Sequence, residues 1–416
     1  MNSLLFWLLM LFAFYVVYVL GAQAAARRAA AQAPRTPPVI PTEKLAACEA
    51  KLAPLMVITT HRILGDILEF EGRLKATADE VFQKIKVAFA GEPVTPMLLE
   101  GEENEVRLVL LPETTPGTSE TLDRPNWPLH WGLFVATIAT TTWAGALHAG
   151  VNLLQQPAKF AIGLPYSLGL LLILGAHELG HYFTAKAHGV RVTPPYFIPI
   201  PFALGTFGAF IKIKSLTPNR RALFDVAVAG PLAGLVFAIP ALLIGLRYSR
   251  VIPLNSPDTL GHIGVSINSS VLLACLAKIS LGASVVGDQR LLLHPLAFAG
   301  WLGLIVTALN LLPIGQLDGG HMSHAMYGSR NAHGVSMVAL AALFFLALFV
   351  WPGLMFWAFI VFFIAGTHDA PAANDVTPLS FSRKALCYFA FLLLLLIIVP
   401  VPRALYEGLG LHSPYL

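Results

Sequence analysis

Long apolar stretches are the feature of this sequence that most restricts its fold. A helix that crosses a ~30 Å hydrocarbon core needs roughly 20 apolar residues. Only 12% of the 416 residues are charged, whereas an ordinary globular domain carries about a quarter. The chain is therefore predicted to be a polytopic membrane protein, and disordered and soluble repeat classes are excluded. Apolar stretches of suitable length lie near residues 129–149, 161–183, 222–246, 294–312, 335–365 and 385–401.

Three further observations set the expected number of spans. The stretch 335–365 is interrupted by Trp351-Pro352-Gly353, so it is predicted to form two helices. An apolar run over residues 3–20 predicts another transmembrane helix, with a cleaved signal peptide as the alternative. Residues 263–286 include several polar residues and a lysine, which favours an interfacial or re-entrant segment over a full crossing. We expect an all-α membrane part with about 7–8 transmembrane helices.

The distribution of charge and proline along the chain predicts four regions. They are an N-terminal transmembrane helix (1–26), an Ala/Pro linker (27–42), a small α+β soluble domain (43–128) and the polytopic membrane domain (129–416). In the soluble domain, residues 67–74 and 106–111 have the pattern of strands, and residues 78–89 have that of an amphipathic helix. This domain is either a regulatory or substrate-gating module or a solvated spacer.

Overall charge and cysteine content exclude several function classes. The formal net charge of +4 comes from scattered residues, so no nucleic-acid partner is expected. The three cysteines, Cys48, Cys275 and Cys387, are far apart and include no C-x-x-C pair. Neither a disulfide framework nor a cysteine zinc site is therefore predicted.

The motif that carries chemistry is His177-Glu178-Leu179-Gly180-His181, an H-E-x-x-H within the stretch 161–183. A spacing of four places His177 and His181 on one face of a helix, one turn apart, where two imidazoles can bind one Zn²⁺. Zinc lowers the pKa of its bound water to ~7, and Glu178 can take the proton of that water as general base. An acidic residue within an apolar span costs roughly 2.5 to 3.5 kcal/mol, which favours a functional explanation over a chance pentapeptide.

Catalytic zinc takes a third protein ligand, and Asp318 is the candidate. It follows the apolar stretch 294–312, in a segment where Pro313, Gly315 and two further glycines are expected to unwind the helix. The alternative is an aspartate in a polar turn at a helix end. His321 and His324 follow closely and are alternative ligands, partners of the ligands, or plain loop histidines.

The segment between the two metal-binding helices is predicted to be a membrane-embedded hairpin or loop. Residues 192–213 are rich in Pro, Phe and Ile, and Gly205 and Gly208 permit tight turns. A transmembrane substrate hides its peptide bonds in a helix, so a protease has to hold it unwound, which pairing with a hairpin edge would do. A plain interhelical loop is the alternative. Gly230 and Gly234 are expected to let two helices pack closely.

Taken together, these residues resemble the site-2 protease family of intramembrane zinc metalloproteases (peptidase family M50). The resemblance rests on the H-E-x-x-H, on Gly230-Pro-Leu-Ala-Gly234, and on the later Asn310-x-x-Pro-x-x-x-x-Asp318-Gly, and it covers about residues 167–321. Within the family, the segments 195–199, 205–209 and 374–379 with Arg383 are similar to the cyanobacterial and plastid branch named for a yellow-green, gravitropism-deficient mutant.

The resemblance implies one Zn²⁺ per chain, held by His177, His181 and Asp318, with Glu178 as catalytic base and Asn310 as a polar helper. It implies an enzyme of regulated intramembrane proteolysis whose partners are a transmembrane protein substrate and the lipid bilayer. The alternatives are another membrane zinc peptidase and a metal-binding transporter or chaperone without enzymatic activity.

The distribution of basic residues predicts the orientation. The positive-inside rule places the soluble domain and the His177 end of its helix on the cytoplasmic side. We expect an integral, multi-pass membrane protein. A bacterial inner membrane is favoured because no Arg- and Ser-rich transit peptide precedes the first span, and a thylakoid or plastid membrane is the alternative.

Overall fold

The computed structural model describes residues 42–102, 105–112, 125–201, 203–253, 264–266, 270–282, 289–349, 354–366 and 369–401. The predicted N-terminal transmembrane helix and all but the last residue of the predicted linker lie outside these residues. The chain divides into two compact units. One comprises Met1–Thr114 and Phe344–Gly366, and the other comprises Thr115–Leu343 and Thr367–Leu416.

The first unit contains two helices and an antiparallel four-stranded sheet. In chain order the elements are α1 (Thr42–Leu52), β1 (Met56–Leu64), β2 (Ile67–Leu74), α2 (Ala78–Ala88), β3 (Val94–Glu100) and β4 (Val106–Pro112). The strand order in the sheet is β1-β2-β4-β3.

Alternating side chains explain why this sheet has one buried face. Val106, Leu108 and Leu110 of β4 are buried, while their neighbours are more exposed. Helix α2 buries Phe82 and Ile85, as its helical spacing predicts. The predicted strands 67–74 and 106–111 and the predicted helix 78–89 are confirmed within one residue at each end. Strand β1 was not predicted, because most of its side chains are exposed and the run includes polar and charged residues.

Helices form most of the second unit. Proline at the first turn starts several of them, which is where a missing N–H costs least. The elements that position the site are α3 (Trp127–His148), a 3₁₀ turn (Pro157–Ile162), α4 (Leu164–Ala187), α5 (Arg220–Arg247), α6 (Val271–Leu281), α7 (Pro295–Leu311), α8 (Asp318–Tyr327) and α11 (Phe381–Ile398). Between α8 and α11 lie α9 (Ser329–Phe349), which continues into the first unit, then α10 (Leu354–Ile360) and a π turn (Val361–Ala365).

The predicted hairpin between the motif helices is confirmed. Strand β5 (Tyr196–Pro199) pairs antiparallel with β6 (Thr206–Phe210). Helix α3 holds this hairpin through two side-chain bonds to its backbone. The Nδ1 of His130 lies 3.0 Å from the carbonyl oxygen of Pro195, and the hydroxyl of Thr140 donates to that of Gly205 at 2.6 Å.

The prediction of an all-α membrane part with that single hairpin was wrong in one respect. A second small sheet joins residues on both sides of α6. Its strands are β7 (Arg250–Pro253), β8 (Gly264–Ser266) and β9 (Gln289–Leu292), and their order in the sheet is β7-β9-β8. They are only three or four residues long, so they give little periodic signal.

Among the residues that the structure describes, three helices, α5, α9 and α11, are long and apolar enough to cross a membrane. Helices α3 and α4 have 22 and 24 residues but carry more polar side chains. Helix α6 has 11 residues, about 16 Å at 1.5 Å per residue, which is too short for a single crossing. Within the long stretch 335–365, one helix ends at Phe349 and the next begins at Leu354.

Candidate metal centre

The two histidines of the H-E-x-x-H motif meet as their spacing predicts. Both lie on α4 and are buried, with 4% exposure for His177 and 7% for His181. Their Nε2 atoms are 3.1 Å apart, and the ring planes are inclined by 75°. Two ring nitrogens therefore converge on one point beside the helix.

Asp318 completes this group from a distant part of the chain. Residues 312–317 interrupt the helical path after α7, and Asp318 is the first residue of α8. Its Oδ2 atom lies 3.4 Å from the Nε2 of His177 and 3.4 Å from that of His181. Within the described ranges, this is the one group of three histidine, cysteine or acidic side chains whose ligand atoms are close enough to hold a metal ion.

The separations of these three atoms fit a tetrahedral zinc site. Zinc lies about 2.0–2.2 Å from imidazole nitrogen and carboxylate oxygen. Two ligand atoms on neighbouring corners of such a tetrahedron are therefore about 3.3–3.6 Å apart. The observed separations of 3.1, 3.4 and 3.4 Å are close to these values. Three protein ligands leave one corner open, as in catalytic rather than structural zinc sites.

Helix α5 supports both imidazoles from behind. The Nδ1 of His181 bonds to the carbonyl oxygen of Val226 at 2.7 Å, which leaves the Nε2 lone pair free for a metal. A Cβ atom on Gly230 would lie 2.1 Å from the Nε2 of His181, and one on Gly234 would lie 3.4 Å from the Cβ of His177. The close approach predicted for these glycines is confirmed, and at Gly230 it makes room for the imidazole itself.

Glu178 and Asn310 lie beside the three ligand atoms. Glu178 is 8% exposed and lines a cavity of about 290 Å³ together with the three candidate ligands. The Nδ2 of Asn310 is 3.3 Å from the Nε2 of His177. Ile211, just past β6, lines the same cavity. The Glu178 carboxyl group therefore lies between the candidate ligands and the end of the hairpin.

The hairpin and α5 supply most of the remaining cavity wall. Its lining is largely apolar, with Thr217 and Gln316 as further polar members. A site of this composition can accept an extended chain with apolar side chains while excluding most water. The apolar lining residues are Val190, Ala209, Phe210, Ile211, Ile213, Leu223, Val226, Ala227 and Leu317.

His321 and His324 belong to a different group of side chains. The Nδ1 of His321 lies 2.8 Å from Asp369, although His321 also lines the cavity. The two ring nitrogens of His324 bond to Asp369 and Asp375 at 3.0 and 2.9 Å. Neither histidine is in the three-residue group, and the alternative of plain loop residues is wrong for both.

Sequence reasoning missed the partners of these two histidines. Asp369 and Asp375 lie in a segment without regular secondary structure, so periodicity gives no hint of them. Asp375 does fall within the segment 374–379 that was singled out for its resemblance. The carbonyl of Val226 was also missed, because a backbone acceptor leaves no mark in side-chain patterns.

Comparison with known families gives a match over the same part of the chain. Residues 165–351 match the sequence profile of peptidase family M50. The probable zinc metalloprotease EGY1, chloroplastic, of Arabidopsis thaliana is 35% identical over 248 residues, which cover 60% of this chain and 45% of that protein. Its counterpart in Oryza sativa subsp. japonica is 33% identical over 59% of this chain and 42% of that protein.

A third relative matches over more of the chain. The probable zinc metalloprotease EGY2, chloroplastic, of Arabidopsis thaliana is 29% identical over 82% of this chain and 61% of its own length. The chain thus spans about two-fifths to three-fifths of these curated relatives. No solved structure matches it at a significant level.

Proposed function

We propose that this chain is an intramembrane zinc metalloendopeptidase of peptidase family M50, because residues 165–351 match the profile of that family and the chain is similar to the EGY zinc metalloproteases. It would cleave transmembrane or membrane-tethered protein substrates. One observation carries the proposal: the Nε2 atoms of His177 and His181 and the Oδ2 of Asp318 converge within 3.1 to 3.4 Å of one another. This convergence joins two helices that are 130 residues apart in sequence, and Glu178 lies beside it.

The residues of the site divide the work of peptide hydrolysis. His177, His181 and Asp318 are the proposed ligands of one zinc ion, which, when bound, supplies Lewis acidity toward water and the substrate carbonyl. Glu178, which is buried at the cavity wall, is the proposed general base that takes a proton from the attacking water and returns it to the leaving amine.

Asn310 has a separate proposed role. Its side-chain amide lies on the cavity wall, 3.3 Å from the Nε2 of His177. An amide N–H can donate to the oxygen on which negative charge develops during attack. We propose that Asn310 stabilises that charge.

The hairpin offers an edge on which a substrate can be held extended. Just past β6, Lys212 directs its backbone toward the segment that precedes β5, since Thr193 N–H donates to its carbonyl at 3.0 Å and its own N–H bonds to the Thr193 hydroxyl at 3.0 Å. Neighbouring residues of an extended segment point their N–H and C=O groups to opposite sides. Ile211 and Ile213 therefore point theirs away from that partner, and both residues line the cavity. A substrate strand paired there would lie beside Glu178.

Membrane placement follows from the helices. Helices α5, α9 and α11 support an integral membrane protein. We propose about 7–8 spans in all, with the metal centre near the cytoplasmic side, and with α6 as an interfacial or re-entrant helix. The bacterial inner membrane stays a prediction. The names of the compared relatives place those proteins in chloroplasts, so fractionation of the source cell is needed to choose the membrane.

Proteolysis by the purified protein tests the proposal. Wild type, Glu178→Gln and a control, Glu80→Gln on the soluble sheet unit, are purified in detergent and incubated with casein or a single-span reporter protein. We expect cleavage by wild type and by the control, loss of cleavage on chelation with recovery on addition of zinc, and no cleavage by Glu178→Gln. Cleavage by Glu178→Gln at the wild-type rate would remove the proposed base.

Zinc content and metal transport, measured beside proteolysis, separate the other function classes. A metal transporter or chaperone would bind zinc without cleaving either substrate, and its transport or transfer would survive in Glu178→Gln. Another kind of membrane zinc peptidase would keep its zinc when Asp318 is replaced, because its third ligand would be a different residue.

A further inference from the structure

A second buried polar group lies on the same helix as Asp318. Here it is called the His324 network, and it comprises Arg220, His321, His324, Asp369 and Asp375. His324 is 1% exposed, and its two ring nitrogens bond to the carboxylates of Asp369 and Asp375. The Nε of Arg220 donates to Asp375 at 3.3 Å. Both ring nitrogens of His324 thus face oxygen atoms that accept hydrogen bonds.

This arrangement needs a charged imidazole. A neutral imidazole has one donor nitrogen and one acceptor nitrogen, whereas imidazolium has two donors. Carboxylates at both nitrogens therefore require the protonated ring. Burial alone would lower the pKa of His324, but the hydrogen bonds to Asp369 and Asp375 outweigh it and raise the pKa to about 9. Burial likewise opposes ionisation of Asp369, yet its bonds to His321 and His324 lower its pKa to about 2.

The His324 network joins the two helices that support the metal centre. His324 lies on α8, six residues after Asp318, the proposed third ligand. Arg220 is the first residue of α5, the helix whose Val226 carbonyl holds His181. Asp375 bonds to both His324 and Arg220, so it ties α8 to α5.

The opposite end of α8 is fixed by close packing. A Cβ atom on Gly319 would lie 2.1 Å from the carbonyl oxygen of Leu311, and one on Gly320 would lie 2.0 Å from that of Gly315. The first turn of α8 therefore rests on backbone, while its second half is held by His324. A helix fixed at both ends cannot slide or turn, and ligand geometry must be kept to about 0.5 Å.

We propose that His324 is a positioning residue, which, by bridging Asp369 and Asp375, holds α8 against the start of α5 so that Asp318 meets the two imidazoles. This inference rests on the proposed zinc protease function. It adds a role for three residues that do not touch the metal. Loss of the bridge is expected to weaken zinc binding by at least about tenfold, the lower end of what residues supporting a metal ligand contribute.

Zinc affinity of substituted proteins tests this role. His324→Phe keeps a flat aromatic ring, which is somewhat larger, and removes both hydrogen bonds. Asp375→Asn keeps the shape of the partner while removing its charge. The control is His148→Phe, since His148 ends α3 and packs its ring on Tyr166 and Phe298. Affinity is measured by competition with a chromophoric chelator, and Co²⁺ is added to each protein to record its ligand-field spectrum. Helical content by circular dichroism identifies folded samples.

We expect weaker zinc binding and an altered Co²⁺ spectrum in folded His324→Phe. Asp375→Asn should show a smaller change of the same kind, and His148→Phe should give wild-type values. If His324→Phe does not fold, Asp375→Asn alone decides. Wild-type affinity and an unchanged Co²⁺ spectrum in the folded variant would overturn the proposed role of His324. A wild-type protein that binds no zinc would instead overturn the protease proposal, so the two failures are distinct.

Discussion

Helix α8 contributes residues to two groups of histidine and aspartate side chains. The two groups differ in where the nitrogen atoms of the histidine rings point. At the metal centre, the Nε2 atoms of His177 and His181 face each other at 3.1 Å and share one carboxylate. In the His324 network, each ring nitrogen of His324 has a carboxylate of its own. Residue type alone therefore does not mark a metal site. Convergence of lone pairs does, because it leaves a position that a cation fills best.

The supporting helices differ in the same way. Behind the metal centre, α5 presents a carbonyl to one ring and lies so close that Gly230 has no room for a side chain. Around His324, charged side chains from separate segments complete the hydrogen bonding. The first group leaves a position open between its ligand atoms, whereas in the second group both ring nitrogens of His324 already have protein partners.

Glu178→Gln should have the largest effect on activity, although it changes neither the proposed zinc ligands nor the His324 network. Glutamine keeps the size of the side chain but cannot accept a proton, so cleavage should fall by about 10²–10⁴-fold, the usual contribution of a general base. Zinc content should stay at the wild-type level. Loss of zinc in this variant would contradict the proposed role of Glu178 as a base alone. It would show that Glu178 also helps to bind the metal, together with His177, His181 and Asp318.

Gly230→Ala tests the space left for an imidazole. A methyl group there would overlap the His181 ring, so zinc affinity should fall by about 10–100-fold. Gly234→Ala is the matched control one turn along α5, where the added atom would sit 3.4 Å from His177, an ordinary contact. Equal zinc affinities in the two variants would contradict the geometric account of Gly230.

The pH dependence of stability tests the charge on His324, and its effect should be the smallest. The pKa of His324 is raised to about 9 in the folded protein, above ~6.5 for an unfolded chain. Its stabilising contribution is therefore fully present below pH ~6.5 and is lost as the pH rises through about 9. The melting temperature of the wild type should decline across this window.

A substituted protein isolates that contribution. His324→Phe should melt below wild type at pH 6.5, and the difference should shrink by pH 9 and above. His148→Phe should keep the wild-type slope. A constant difference between wild type and His324→Phe across the window would mean that the bridging imidazole is neutral.

Local patterns in the sequence were enough to predict much of this molecule. The spacing of His177 and His181, the apolar stretches and the hairpin between the motif helices all follow from rules that act over a few residues. Asp318 was predicted as the third ligand because a carboxylate beside an apolar stretch needs an explanation, and the structure places it next to both imidazoles. Strand β1 and the sheet β7-β9-β8 were missed, since an edge strand with exposed side chains and strands of three or four residues carry little periodicity.

Long-range pairings set the limit of that reasoning. His324 pairs with Asp369 and Asp375, which are 45 and 51 residues away in a segment of irregular backbone. The carbonyl of Val226 has no side-chain signature at all. Such partners depend on how helices pack, which a single sequence does not specify.

The measurement that tests the account most directly is the zinc content of the detergent-purified protein, with wild type, Asp318→Ala and Asp369→Ala compared at equal helical content. About one zinc per chain is predicted for wild type. Asp318→Ala should lose it, because a ligand is gone, whereas Asp369→Ala should still take up zinc when the metal is supplied in excess. Undiminished zinc in Asp318→Ala, or none in wild type, would contradict the claim that the two distant helices form one metal centre.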